Sequence, residues 1–329
     1  MAASGSINYT QAADDLIDDS LHLLGVLSPS ETIDSNLQAF CTDMLNKMIK
    51  GWAGKGIDMW AVEEAALIFD NDVVKYAFAD KQGSGSKLGS CIRTSGLVQT
   101  TFSADEASGQ TVLSVTSSTG MAGSDTVVIE LDSGSRHETT IASVDSSTQI
   151  TVNDALPSAA SSGNYIYAYT ASADEIDHPR EVLNVRLVNE DGNEIPMRQL
   201  SRQEYMNLSD KTTEGSPYSY YFDKLEGITN ISSSNPVLYV YTEPNNLREY
   251  LKYDVVKTID DIDTVGSDNF FFPDEYLEAI TYNLAVRLAP AFGKENKLPV
   301  LMPMAKEYLD DAIRNDSESA STKFHPGVY

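Results

Sequence analysis

The chain has 329 residues, with 23 Lys and Arg against 49 Asp and Glu, a formal charge of −26. Its hydrophobic share of 41% is ordinary, which argues against wholesale disorder, and the length suggests about two domains. So acidic a chain is a poor passive binder of nucleic acid, because phosphate binding rests on Lys and Arg, and two cysteines with four scattered histidines fit neither a disulfide framework nor a structural zinc site.

The first residues carry no basic n-region and no apolar h-region, so no signal peptide is expected. No apolar run reaches the roughly 18 residues of a membrane span, which places the protein, as made, in a cytoplasm and off the membrane. Asp14 to Leu27 predicts an amphipathic helix with Leu16, Ile17, Leu21 and Leu24 inward, and Gly25 and Pro29 mark the turn after it. A longer helix follows, with Ile33, Leu37, Phe40, Met44, Met48 and Trp52 recurring at steps of three or four, joined by Cys41, Leu45 and Ile49. Ser30 is placed to cap it, and Gly51, Gly54 and Gly56 to stop it. The pair reads as an αα-hairpin.

Composition then changes. Residues 83–172 contain 40 Ser, Thr or Gly among 90 and open with the hinge-like Gly83-Ser84-Gly85-Ser86. Short β-rich runs start at Thr111, Thr126, His137, Gln149 and Asn164, separated by Ser/Gly/Asp turns, which predicts a small antiparallel sandwich or barrel. Beyond it, Glu181–Val188 and Val237–Tyr241 read as strands, and Ser201-Arg-Gln-Glu204 as a capping box opening a short helix. Pro273 and Asp274 introduce a helix with Leu277, Ile280, Leu284 and Leu288 on one face. A last helix follows Pro299, with Leu301, Met304, Tyr308, Ala312 and Ile313 in register. The expected class is α+β. Residues 1–82 and 173–316 would form one discontinuous, mainly α-helical core with a few strands. Residues 83–172 would be an inserted all-β domain, and 317–329 an extended C-terminal tail without periodicity.

Catalytic patterns are sparse. Asp260-Asp-Ile-Asp263 through Asp268 invites a calcium loop, but counting from Asp261 the fifth position is Val265 and the twelfth Phe272, where oxygen ligands are required. A solvated acidic loop is the simpler reading. Glu63-Glu64 and Asp18-Asp19 could be imagined as a glycosidase pair, yet adjacent carboxylates on a helix diverge. There is no G-x-S-x-G and no Walker loop. No catalytic, cofactor or metal residue is assigned, and the chain is not expected to be an enzyme. Aromatic residues are the richer signal. Tyr218, Tyr220, Tyr221 and Phe222 cluster, Phe270 to Phe272 form a run, and Tyr239 pairs with Tyr241. Core packing and burial between subunits both account for them. On the second account Tyr218, Tyr220, Tyr221, Phe222 and Phe271 are the interface candidates.

The order of these pieces resembles the head-to-tail adaptor (head-completion, tail-accessory) proteins of short-tailed bacteriophages. The matching pieces are Leu24-Gly25-Val26-Leu27-Ser28-Pro29-Ser30-Glu31, the helix with Met44-Leu45-Asn46-Lys47-Met48, and Trp52-Ala53-Gly54-Lys55-Gly56-Ile57. Further on come Pro196 to Tyr205, Gly215 to Tyr221, and Phe272-Pro273-Asp274-Glu275-Tyr276 leading to Tyr282–Ala289. The insert looks like β modules of some members, whereas Leu238 to Pro244 departs from the pattern. The resemblance implies a structural virion protein at the portal vertex, made in the host cytoplasm. It implies a dodecameric ring under the portal that extends the DNA channel, closes the filled head and offers the tail its platform. Its partners would be the portal protein, the tail nozzle or tube, further copies of itself and, through the β insert, a tail fibre, with DNA passing unbound. Lys323, Phe324, His325, Pro326, Val328 and Tyr329 would then dock in a groove of the portal; a frayed terminus is the plainer alternative. The acidity would either line the channel or simply keep the free subunit soluble. A different function remains open beside this one: a virion-associated peptidoglycan hydrolase or glycan-binding module using the β insert.

Overall fold

The computed structural model describes residues 11–28, 31–54, 61–71, 73–78, 91–176, 179–224, 236–259, 261–262 and 272–315. In chain order, two helices come first, α1 (Ala13–Leu24) and α2 (Ser35–Ala53), followed by strands β1 (Val62–Ile68) and β2 (Lys75–Ala77). The Ser/Thr/Gly-rich stretch supplies β3 (Ile92–Arg93), β4 (Val98–Thr101), β5 (Val112–Ser114), β6 (Thr126–Glu130), β7 (Arg136–Ser146), β8 (Gln149–Val152) and β9 (Tyr165–Tyr169). After the short α3 (Ala171–Asp174) come β10 (Glu181–Val188), β11 (Glu194–Pro196), β12 (Arg198–Gln199) and α4 (Arg202–Met206). Strands β13 (Ser219–Asp223), β14 (Val237–Tyr241) and β15 (Tyr250–Val256) precede the closing helices α5 (Leu277–Leu288) and α6 (Leu298–Asn315).

The expected class, a mainly α-helical core carrying a β insert, is therefore corrected: the protein is mostly β. Fifteen strands in three sheets stand against six α-helices among the described residues. The longer helices lie towards the two ends, whereas β1, β2, β10, β14 and β15 pair at long range. The chain divides into two compact units, residues 1–60 with 259–329, and residues 61–258.

In the first unit α1 buries Leu16, Ile17, Leu21 and Leu24. It ends at Gly25, whose φ of 64° is the left-handed conformation that glycine adopts without Cβ strain; its N–H donates to the His22 carbonyl at 2.9 Å. Helix α2 is capped by Asp34, which accepts from the Asn36 N–H at 3.3 Å, while Ser30 lies outside the described residues. The helix runs through Gly51 and stops at Gly54. Its buried face is Cys41, Leu45, Met48, Ile49 and Trp52, so Phe40 lies at the boundary, 41% exposed and edge-on to Phe292. Against these helices pack Tyr276, Ile280, Leu284 and Leu288 of the C-terminal segment. Polar ties repeat the link. The Ser20 hydroxyl is shared between the Leu16 and Thr281 carbonyls at 2.7 and 2.9 Å, and the Asn46 amide clamps both the N–H and the carbonyl of Ile262.

The second unit contains a sandwich and a barrel-like sheet. A five-stranded sheet, β11-β10-β15-β1-β3, faces a four-stranded one, β12-β13-β14-β2. Ala65, Leu67, Leu187, Leu251, Tyr253 and Val255 from the first meet Tyr76, Tyr220, Leu238 and Val240 from the second in one core. The third sheet, β4-β9-β6-β7-β8-β5, is antiparallel throughout and curls until its outer strands meet at the Phe102–Val115 bridge. Leu113, Val127, Ile129, Ile141, Ile150 and Ile166 fill it. Arg136 joins it to the sandwich, donating from Nη2 to the Leu247 carbonyl at 2.6 Å while lying over the Tyr167 ring. Burial pulls its pKa down to about 10.

Candidate functional site

Alternation along β13 separates the predicted aromatic cluster. Tyr220 points into the sandwich core at 3% exposure, and Phe222 packs against Phe78 on that same side. Tyr221 points the other way, onto α4. The capping box fixes that helix: the Glu204 N–H donates to the Ser201 hydroxyl at 3.2 Å, and the Ser201 N–H to the Glu204 carboxylate at 2.8 Å. This seats Tyr205 over the sheet, its ring 5.7 Å from Tyr221 and 5.0 Å from Tyr239, while Tyr221 and Tyr239 stack at 5.8 Å. The ammonium groups of Lys211 and Lys75 stand 5.5 and 5.7 Å above the Tyr205 and Tyr239 rings. Core packing thus accounts for Tyr220, Tyr221 and Phe222. Tyr218, 58% exposed and edge-on to Tyr241, is the member of the cluster that faces solvent. Tyr205 and the two lysines were missed in the sequence. Tyr205 sits one residue after the Glu of a capping box, a position that would have flagged it as the packing residue of that turn.

The carboxylates named in the sequence have separate surroundings. Adjacent residues of a strand point to opposite faces, and Glu63 and Glu64 do so on β1. Glu63 is paired with Arg93 and Lys257, each at 2.5 Å; burial raises its pKa, but the hydrogen bonds and charges of these partners outweigh it and hold the group low. Glu64 is bound by Arg186 at 2.8 Å. Asp18 is half-buried on α1 with Oδ1 lacking a hydrogen-bond partner, and burial, reinforced by Asp14, Asp15 and Asp19 against the opposing pull of His22, pushes its pKa up. Asp19 accepts from Gln11 at 3.1 Å. Of the acidic stretch 260–268, Asp261 is ion-paired with Lys50 at 2.8 Å, and all but residues 261–262 lies outside the described residues. Cys41 and Cys91 are buried and form no disulfide, and burial pushes the Cys41 thiol up to about 11. Among the described residues no three His, Cys, Asp or Glu side chains form a group able to hold a metal ion, and no helix is long and apolar enough to cross a membrane.

The helical unit offers a groove of about 710 Å³ along the seam of α1 and α5. Leu23, Leu277, Thr281 and Tyr282 form its floor, and Asp19, His22, Asp274 and Glu278 stand around it. On α6 the side chains of Val300 and Met302 are 65% and 56% exposed. Phe271 and the whole candidate docking segment, Lys323, Phe324, His325, Pro326, Val328 and Tyr329, lie outside the described residues.

Comparison with known proteins adds little. No protein-family model matches the chain, and no curated protein sequence does. Among solved structures, VP17, a capsid protein of bacteriophage P23-77, is 13% identical over a region covering 58% of this chain and 82% of that one. The TM-score is 0.12, at which no common fold can be argued.

Proposed function

We propose that this chain is a structural protein of a phage virion, an adaptor joining head to tail. In that role copies assemble as a ring beneath the portal, which extends the DNA channel and receives the tail. One observation carries the proposal. The separated pieces on which the family resemblance rests, some 220 residues apart in sequence, meet in a single core: Leu24, Leu45, Met48 and Trp52 from the N-terminal segment pack with Tyr276, Leu284 and Leu288 from the C-terminal one. The pieces at Pro196–Tyr205 and Gly215–Tyr221 fall in the β unit, where they build β12, α4 and β13.

The attachment is assigned to the C-terminal segment. Thirteen residues, Ser317 to Tyr329, reach at most about 45 Å when extended. Their last seven combine one lysine, one histidine and two aromatic rings with a Pro-Gly pair. A segment of this composition offers cationic and aromatic side chains to a partner's groove. Deleting residues after Asp316 should leave the helical circular-dichroism signal unchanged and weaken binding to purified portal rings by about 100-fold, or about 2.7 kcal/mol. Undiminished binding of the shortened chain would remove the segment from the account, and failure of the intact chain to bind portal at all would remove the adaptor.

A further inference from the structure

The groove between α1 and α5 has an apolar floor and an acidic rim. Leu277 and Thr281 are buried at its base, and Leu23 and Tyr282 are half-buried beside them. Asp274 and Glu278 are exposed on one side, and no Lys or Arg among the described residues pairs with either. Across from them Asp19 is held by Gln11 and lies 3.9 Å from His22. Such a cleft fits a short stretch of chain that joins a cation to an aromatic ring.

The same chain carries that stretch, and the helix before it ends at the cleft. Helix α6 runs antiparallel to α5: the Asn283 amide donates to the Ala305 carbonyl at 2.9 Å, and the Tyr308 and Tyr282 rings lie 4.8 Å apart. Its last turns therefore pack beside Asp274–Tyr276, at the groove's own edge. Fourteen residues follow Asn315. The first seven, Asp316 to Thr322, are polar apart from Ala320, and then comes Lys323-Phe324-His325-Pro326-Gly327-Val328-Tyr329. The eight steps from Asn315 to Lys323 span up to about 26 Å, whereas the groove from Asp274 to Tyr282 is only about 12 Å long. Reach is ample, and tethering by so short a linker gives an effective concentration on the order of millimolar.

We infer that the α1/α5 groove is the docking site of the chain's own C-terminal segment, with Lys323 at the Asp274–Glu278 rim and Phe324 on the Leu277–Tyr282 floor. The inference concerns the isolated subunit and stands or falls without the portal. Its consequence for assembly is competition, since a segment parked on its own subunit must leave before it can dock elsewhere.

The test uses the full chain in isolation. Ala320→Cys gives a dye site in the segment, the native Cys41 and Cys91 being buried. Fluorescence anisotropy of that dye should be high, and should fall by about half on adding either Lys323→Glu with Phe324→Ala, or Glu278→Lys. A circular-dichroism spectrum of each variant that matches the parent's separates release of the segment from misfolding. Unchanged anisotropy in both variants would overturn the inference. As a second measurement, Glu278→Cys with Phe324→Cys should form an intrachain disulfide at least about tenfold faster than Lys47→Cys with Phe324→Cys. Equal rates, or cross-links running mainly between copies, would also overturn it.

Discussion

Leu284→Ala tests whether the two ends of the chain form one cooperative helical unit. Leu284 is fully buried on α5 and belongs to the core that includes Leu16, Leu45 and Trp52. The substitution removes three carbons, worth about 2.4 kcal/mol at about 0.8 kcal/mol each. The space left behind adds a further cost of about 1 kcal/mol where neighbours from several helices cannot close in together, giving about 3–4 kcal/mol in all. For a unit of about 130 residues, 1 kcal/mol corresponds to about 3–5 °C, so the transition should fall by about 10–15 °C. The assay is thermal unfolding followed at 222 nm, with calorimetry to resolve the β unit. Leu16→Ala, at an equally buried site near the other end of the chain, should lower the same transition by a similar amount. Lys306→Ala on the exposed side of α6 should change it by less than about 0.5 kcal/mol. If Leu16→Ala left untouched the transition that Leu284→Ala lowers, the N- and C-terminal helices would not be one structure. The observation behind the adaptor proposal would go with it.

Two acidic residues should respond to pH with opposite signs. Asp18 has a folded pKa raised by burial, so its contribution is fully present below its unfolded value near 3.8 and is lost as pH rises through the folded value. Asp18→Asn should therefore stabilise the helical unit near neutral pH by up to about 1 kcal/mol and confer nothing at pH 3; a lower melting temperature at pH 7 would contradict this. Glu63 is held low by Lys257 and Arg93 despite its burial, so its stabilisation is present above its unfolded value near 4.5 and is lost as pH falls through the folded value. Glu63→Gln should cost about 1 kcal/mol at pH 7 and nothing in acid, and a pH-independent cost would point to packing instead.

The helices were legible because each carries its own period. α1 and α5 have the predicted inner faces residue for residue, and Ser201–Glu204 forms the capping box its spacing announces. The outer helices were read less well. The apolar residues of α2 run almost round its circumference, so periodicity could not choose between Phe40 and Cys41, and neighbours made the choice. On α6, Leu301 and Ala312 are buried but Ile313 is 39% exposed. Strand β10 runs from Glu181 to Val188 and β14 from Val237 to Tyr241, where the β-branched runs put them. Strand β1 was hidden for a physical reason. Between Val62 and Ile68 the run Glu-Glu-Ala-Ala-Leu is composed of good helix formers, and pairing with β15, nearly 190 residues away, and with β3 makes it a strand. Its partner had a readable signal that went unused: Leu251, Tyr253 and Val255 alternate inward along β15. The weight of the two β sheets built on such pairs is what turned a helical expectation into a mostly β protein. The aromatic cluster failed to divide in sequence for a related reason, since strand parity, unknown before register is fixed, decides that Tyr220 and Tyr221 face opposite ways.

The acidity can be weighed against the architecture. The helical unit has nine Lys and Arg against 21 Asp and Glu, and the β unit 14 against 28. A lining built to repel DNA phosphates would concentrate carboxylates on one surface, because at physiological salt a charge acts over only about 8 Å. The excess is instead shared almost evenly between two units of different fold, −12 and −14. In the β unit many of the described carboxylates are also tied up: Glu63, Glu64, Glu130, Glu181 and Glu194 are each in ion pairs. General charge of this kind keeps a free subunit dispersed by self-repulsion. Assembly of such a subunit must then draw on local features that overcome the repulsion. The uncovered apolar side chains of α6, the exposed Tyr218 and the Asp274–Glu278 rim of the α1/α5 groove are places where that balance can tip.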